Sequence, residues 1–238
     1  MYNQKGVKQL EDKMTPQTAP LTLPDAVNLV PKVLWGLFLA ALGTVMMLHA
    51  KIGLFPWGTL NAGLTKATGI SFGTWSQIIG LALVLIMALF KYYPGIGTLL
   101  DTFFFGFFVD MIQDAKVIMY PKTLMGQTYF ALLGLVLMSY GMSLYMSCGL
   151  GAGPRDGLML FLMKITGKSV TFIKTTIEIT VTAVGLLLGG PFGFGTIMLA
   201  LLGGKVLQLM FKWTQFDAGT LKQHDLFEVF GKAKNVNR

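Results

Sequence analysis

The sequence predicts an all-α polytopic membrane protein built from two tandem homologous repeats, and three observations carry that prediction. Of the 238 residues, 53% are hydrophobic and 13% are charged, with a mean hydropathy of +0.62. A soluble domain usually carries about 25% charged residues. The apolar residues form runs close to the roughly 20 residues that a helix needs to cross a bilayer. The chain also repeats a pattern of glycine, proline, lysine and threonine at a spacing of 98 residues.

The apolar runs divide the chain into tails, membrane repeats and a connecting loop. Membrane-spanning helices are expected at 33–50, 72–90, 95–112, 128–148, 170–189 and 192–211. The predicted organisation is a cytoplasmic N-terminal tail (1–31), a first membrane repeat (32–115), an inter-repeat loop (116–127), a second membrane repeat (128–212) and a cytoplasmic C-terminal tail (213–238).

The duplication rests on residue types that do not match by chance as readily as leucine does. An ungapped comparison of 34–112 with 132–210 gives 19 identities in 79 positions. Most of the glycine, proline, lysine and threonine matches fall within 53–71 and 95–98. Internal repeats of this size are typical of transporter folds, and paired Gly/Pro-interrupted segments indicate where their sites lie. The alternative is a duplicated scaffold that transports nothing.

Each repeat consists of an apolar helix, an interrupted segment and two further apolar helices joined by a glycine-rich turn. The interrupted segments read "GLFPWGTLNAGLTKATGIS" (53–71) and "GAGPRDGLMLFLMKITGKS" (151–169). If each crosses the membrane as a discontinuous span, the repeats are parallel; if each is re-entrant, they are inverted. Short cytoplasmic loops collect lysine. This rule favours four crossings per repeat, with Lys66 and Lys164 both in the cytoplasm. Both alternatives place the N- and C-termini in the cytoplasm.

The prolines of the interrupted segments predict two half-helices. Proline suits the first position of a helix because its missing N–H would have no partner there. Pro56 and Pro154 would therefore each begin a helix, with unpaired N–H donors and partial positive charge at its start. Two such ends near the membrane midplane could bind a polar or anionic group. The alternative is a simple kink whose backbone groups are satisfied by neighbouring helices.

The repeated motif resembles a known family. The stretches "AGPRDGLMLFLMKITGKS" and "FPWGTLNAGLTKATGISFGTW", with the paired "GIGT" and "GFGT" turns, are similar to the YczE-like branch of the YitT/YczE family of bacterial integral membrane proteins. The resemblance covers about residues 33–211 and implies a multi-pass protein of the bacterial plasma membrane. In that family the first motif often reads Pro-Trp-Asp. Here Gly58 replaces the aspartate, while Asp156 keeps it in the second repeat.

Candidate site residues come from the interrupted segments and from charges within the apolar helices. An ionisable side chain in a membrane segment is costly and indicates function. Structural alternatives are that Asp156 complements the helix dipole and that Lys174 and Glu178, spaced i, i+4, neutralise each other. The candidate substrate-binding residues are Pro56, Trp57, Asn61, Asp101, Gly153, Pro154, Arg155, Asp156 and Glu178.

Signals for an enzyme are weak. His49 and His224 lie far apart, no cluster has metal-ligand spacing, and no nucleotide-binding or nucleophile motif is present. No catalytic residue, cofactor or metal is therefore predicted. The net charge of +8 requires no nucleic acid, because eight basic residues lie at 1–32 or 222–238. The expected function is a secondary transporter or channel in the lipid bilayer for a small polar or charged solute, with a homo-oligomer as a candidate assembly. The alternative is a non-transporting scaffold, sensor or accessory subunit.

Overall fold

The computed structural model describes residues 23–214, and within that range the chain forms eight helices and no strand. The helices are α1 (Leu23–Ala50), α2 (Pro56–Thr68), α3 (Phe72–Leu89), α4 (Ile96–Asp114), α5 (Leu124–Met146), α6 (Pro154–Thr166), α7 (Val170–Leu187) and α8 (Phe194–Trp213). Helix α4 consists of the α-helical parts Ile96–Leu100 and Gly106–Asp114 with a π-helical turn, Asp101–Phe105, between them. Most of the two predicted tails lies outside the described residues.

Six of these helices are long and apolar enough to cross a membrane, and they match the six predicted runs. They are α1, α3, α4, α5, α7 and α8. Helices α2 and α6 have 13 residues each. That length corresponds to about 20 Å, short of the roughly 30 Å hydrocarbon core.

Two helices begin earlier than the sequence predicted. Helix α1 begins at Leu23 and continues through Pro31, and α5 begins at Leu124. The predicted helix starts at 33 and 128 are therefore too late, and the end of the predicted 116–127 loop is helical. The reason is that hydropathy marks where a chain becomes apolar, whereas a helix can begin in a polar stretch beside it.

The same local backbone recurs in the two halves of the chain. Helices α2 and α6, α3 and α7, and α4 and α8 begin at positions 98 residues apart. Residues with left-handed backbone recur at the same spacing, in the pairs Lys51 and Gly149, Gly53 and Gly151, Gly69 and Gly167, and Lys91 and Gly189.

Helices α1 and α5 pack closely through glycines and run antiparallel. A Cβ on Gly36 would lie 2.7 Å from the Gly141 carbonyl oxygen, and Gly43 meets Gly134 in the same way. Small residues permit such close approach between membrane helices. Because the lower number of one helix pairs with the higher number of the other, the two directions oppose. An antiparallel α1–α5 pair does not fit the parallel relation that the lysine distribution favoured.

Side-chain contacts divide the loops between two ends of the helix bundle. His49 Nδ1 lies 3.1 Å from the Ile118 carbonyl oxygen, and its ring stacks on Tyr120. The end of α1 and the α4–α5 loop thus share one end, called here the Lys51 end. At the opposite end, called the Lys91 end, Lys164 Nζ lies 5.8 Å above the Tyr92 ring.

Candidate functional site

Two extended segments carry the chain into α2 and α6, and each is held by the other half of the molecule. The N–H of Gly97, at the start of α4, donates to the Leu150 carbonyl at 2.6 Å. The N–H of Gly195, at the start of α8, donates to the Ile52 carbonyl at 2.8 Å. Gly53 and Gly151 have φ values of +112° and +116°, a conformation that suits glycine. The extended segments are thereby fixed against helix starts in the interior.

Pro56 and Pro154 occupy the starts of α2 and α6, as the sequence predicted. The residues before them, Phe55 and Gly153, are extended, with ψ of 158° and 160°. This is the conformation that a following proline favours. Proline thus fixes where each short helix begins and where the next side chains, Trp57 and Arg155, are placed.

The Arg155 guanidinium is held by side chains from three other helices. Its Nη2 donates to Ser76 Oγ on α3 at 2.8 Å. Its Cζ lies 5.3 Å from the centre of the Trp57 ring on α2 and 5.6 Å from the Phe105 ring on α4. Aromatic faces at this distance attract a cation. One polar bond and two rings therefore fix the guanidinium in the interior.

Asp101 lies at the first position of the π-helical turn in α4 and faces the start of α6. Its carboxylate interacts electrostatically with Arg155 and Asp156. A Cβ on Gly153 would lie 2.5 Å from Asp101 Oδ2 and 2.8 Å from the Tyr145 hydroxyl oxygen. The Gly153 backbone thus lies beside that hydroxyl. Asp101 and Tyr145 therefore converge on the residue just before Pro154, and π-helical turns of this kind are frequent at functional sites.

Lys174 and Glu178 on α7 form an ion pair at 3.8 Å, as their i, i+4 spacing predicted. Their side chains are 49% and 36% exposed. Lys174 also interacts electrostatically with Asp156. The pair is therefore linked to the start of α6.

Asn61 is a buried polar side chain without a partner. It is fully buried, and neither its amide nitrogen nor its amide oxygen has a hydrogen-bond partner. The hydroxyl of Thr65, one turn further along α2, is also buried and unpaired. A buried unsatisfied polar group costs about 1–3 kcal/mol and requires an explanation. Residues at i, i+4 and i+8 share a helix face. Asn61 and Thr65 therefore extend the face that begins with Trp57.

The structure brings most of the predicted site residues together. Those around the start of α6 are Trp57, Asp101, Gly153, Pro154, Arg155 and Asp156. Glu178 joins them through Lys174, Asn61 lies one turn beyond Trp57, and Pro56 begins the corresponding helix of the other half. Sequence reasoning missed Ser76 as a partner of Arg155, and it missed Phe105 and Tyr145 altogether. Of these residues, Tyr145 could have been found from the sequence, because its hydroxyl is a polar group within an apolar run.

A bundle of apolar helices with charged groups at its centre defines the chain as a multi-pass α-helical membrane protein. It belongs to a family of unknown function (DUF6198), whose model matches residues 30–212. It is 37% identical over 175 residues to the uncharacterized membrane protein YczE of Bacillus subtilis strain 168, covering 73% of this chain and 80% of YczE. The resemblance to the YczE-like branch is therefore confirmed.

Two further relatives extend the comparison. An uncharacterized protein of Haemophilus influenzae is 33% identical over 176 residues, which cover 74% of this chain and 80% of that protein. The uncharacterized protein YyaS of Bacillus subtilis is 25% identical over 176 residues, covering 73% and 88% respectively. No solved structure matches the chain.

Proposed function

We propose that this protein is a secondary transporter or channel for a small polar or charged solute, with its site between two inverted repeats. The observation that carries the proposal is the interior guanidinium of Arg155, held by Ser76 and two aromatic rings beside Asp101. An ionisable group inside a membrane bundle is expensive, and such groups mark substrate and ion pathways.

The reciprocal glycine contacts support inverted repeats. Gly36 corresponds to Gly134 in the repeat alignment, and Gly43 corresponds to Gly141. Gly36 packs against Gly141, and Gly43 packs against Gly134. A two-fold axis exchanges the two halves, so each contact occurs twice. It turns the contact of Gly36 with Gly141 into the contact of Gly134 with Gly43. Since the helices are antiparallel, that axis would lie in the membrane plane, as in transporters with inverted-topology repeats.

The same axis would pass through the charged site. The alignment pairs Trp57 with Arg155, Gly58 with Asp156, Ser76 with Lys174, Gly80 with Glu178 and Asp101 with Leu199. Each pair places one charged residue opposite a neutral one. Inverted-repeat transporters bind substrate near the midplane at the repeat interface, close to half-helix N-termini. These charge differences would give a two-fold scaffold one asymmetric binding site.

The charges favour a zwitterionic solute. Arg155 offers a planar fork that suits a carboxylate or phosphate. Asp101, Asp156 and Glu178 outnumber the basic groups Arg155 and Lys174, and their carboxylates suit an ammonium group. A small molecule that carries both kinds of group could pair with the guanidinium and with a carboxylate at once.

The distribution of basic residues favours a cytoplasmic Lys91 end in the bacterial plasma membrane. The described chain begins and ends at this end. Lys32 near the start of α1 interacts electrostatically with Cys148, and Ser143 Oγ donates to the carbonyl of Met210 near the end of α8. The tails that continue from there carry most of the eight basic residues found at 1–32 or 222–238. Cytoplasmic segments near membrane helices collect lysine and arginine.

Thiol labelling tests the aqueous site without knowledge of the solute. With Cys148 replaced by serine, cysteine at Glu178 should react with a charged, membrane-impermeant thiol reagent, because the proposed site is open to water. Ile179, the next residue, is 65% exposed and is the matched control. A cysteine there should not react, because lipid excludes the reagent. Absence of reaction at Glu178 in protein that remains folded would contradict the proposal and favour the non-transporting alternative.

A further inference from the structure

A cavity lies at the Lys91 end, between the α3–α4 loop and α6. Its volume is about 220 Å³. A water molecule occupies about 30 Å³ in the liquid, so the cavity has room for a polyatomic ion with some of its hydration. Lys91, Tyr92 and Tyr93 line it from the loop, and Lys164 lines it from α6. Its inner wall includes Thr98 and Ala152, whose carbonyl accepts from the threonine hydroxyl at 2.5 Å.

Lys91 occupies a backbone conformation that disfavours a side chain. Its φ is +61°, in the left-handed region, and its counterpart in the other half is Gly189, with a φ of +82°. Glycine adopts this conformation without steric cost, whereas a lysine is strained by it. Strained residues of this kind cluster at functional sites and ligand clamps. The position therefore has a lysine where the local backbone favours glycine.

The equivalent place in the other half is filled by close packing. There the α7–α8 turn carries Gly189 and Gly190 where the α3–α4 loop carries Lys91 and Tyr92. A Cβ on Gly63 of α2 would lie 2.5 Å from the Gly185 carbonyl oxygen and 3.2 Å from the Gly190 nitrogen. Glycine thus lets α2 lie directly on that turn. Beside the α3–α4 loop, Phe161 of α6 takes the place of Gly63, and its ring lies 5.9 Å from that of Tyr92.

We propose that this cavity binds an anion, a phosphate or carboxylate group, between the ammonium groups of Lys91 and Lys164. The residues that line the cavity include both lysines and neither aspartate nor glutamate. Lysine binds phosphate as a point charge with rotatable donors. Because the cavity opens at an end of the membrane bundle, the anion is either a free solute or the headgroup of an anionic lipid. The proposal does not depend on transport.

Direct binding to the full chain tests this site. The protein is placed in nanodiscs of phosphatidylcholine, and its binding of inorganic phosphate is measured by calorimetry. In a second arm the nanodiscs also contain phosphatidylglycerol, and native mass spectrometry counts the lipid molecules retained. The test variant is Lys91→Gln/Lys164→Gln. The matched control is Lys51→Gln/Lys66→Gln, which removes two lysines at the opposite end.

We expect the test variant to bind phosphate at least tenfold more weakly, or to retain one phosphatidylglycerol fewer, while the control matches the wild type. A phosphate effect assigns the site to a free anion, and a lipid effect alone assigns it to a headgroup. Lys91→Gly relieves the strained backbone, so it should lose binding without losing thermal stability. Equal behaviour of wild type and test variant in both arms, or an equal loss in the control, would overturn the proposal.

Discussion

Gly153 lies where two polar groups of the site meet. A methyl group there would collide with Asp101 Oδ2 and with the Tyr145 hydroxyl. We expect Gly153→Ala to lower the free energy of unfolding by about 1–3 kcal/mol, the usual cost of overpacking. Thermal unfolding of the purified protein measures this effect. Combining the change with Asp101→Ala should recover part of the loss, because it removes one of the two colliding groups.

Gly204→Ala is the matched control for this prediction. Gly204 lies within α8, and a Cβ there would meet nothing within 4 Å. Alanine forms helix better than glycine by about 1 kcal/mol, so this variant should be as stable as wild type or more so. Equal stability of Gly153→Ala and Gly204→Ala would show that Asp101 and Tyr145 do not crowd the start of α6.

Arg155 compensates acidic groups that face the same interior. We expect Arg155→Ala to destabilise the fold by about 3–5 kcal/mol, because removing one partner leaves buried charge unbalanced. Arg155→Lys keeps the charge but loses the planar contact with Trp57 and the bond to Ser76, so its loss should be smaller. Chemical denaturation compares the variants. The double change Arg155→Ala/Asp101→Leu should be more stable than Arg155→Ala, and a double variant of equal stability would rule out this compensation.

At the scale of elements, the α1–α5 pair is held by glycine. A Cβ on Gly43 would collide with the backbone of Gly134 and Met138. Gly43→Ala and Gly141→Ala should therefore each lower thermal stability, and together they should cost less than the sum, because one separation of the helices relieves both collisions. Gly203→Ala is the control, since its Cβ would lie 3.9 Å from Leu135 Cδ1. Strictly additive losses would contradict a shared helix interface.

The sequence predicted the number of apolar helices better than it predicted where each begins and how it is distorted. It predicted six apolar helices, and the structure has six helices able to span a membrane among residues 23–214. It also predicted that Pro56 and Pro154 begin short helices. It missed the start of α1 at Leu23, because helix formation there does not depend on hydropathy. The π-helical turn that begins at Asp101 left no signal in the hydropathy of the sequence.

The sequence predicted the charged residues of the site better than the residues that contact them. Charge asymmetry between the halves indicated Arg155, Asp101 and Glu178, because ionisable residues stand out in an apolar chain. Ser76 and Phe105 contact Arg155 from α3 and α4, and their residue types are common in membrane helices. Only the three-dimensional packing identifies them.

At the scale of the whole molecule, the lysine distribution favoured parallel halves, whereas the packing of α1 on α5 favours the inverted halves proposed above. It treated each interrupted segment as a crossing because Lys66 and Lys164 then fell on one side. In the structure Lys66 lies against Gly189, beside the α7–α8 turn, and Lys164 lies above Tyr92 in the α3–α4 loop. Loops contribute only a few lysines each, so the tails decide the charge balance. Packing of α1 on α5 is the stronger constraint, because it fixes direction.

The position of Lys66 and Lys164 relative to the membrane tests the inverted arrangement most directly. Single cysteines replace each lysine in protein whose Cys148 is serine, and an impermeant thiol reagent is applied to whole cells and to inside-out vesicles. We expect the cysteine at 66 to react in whole cells and the cysteine at 164 to react only in inside-out vesicles. Reaction of both positions from the same side would contradict inverted repeats and the binding site proposed between them.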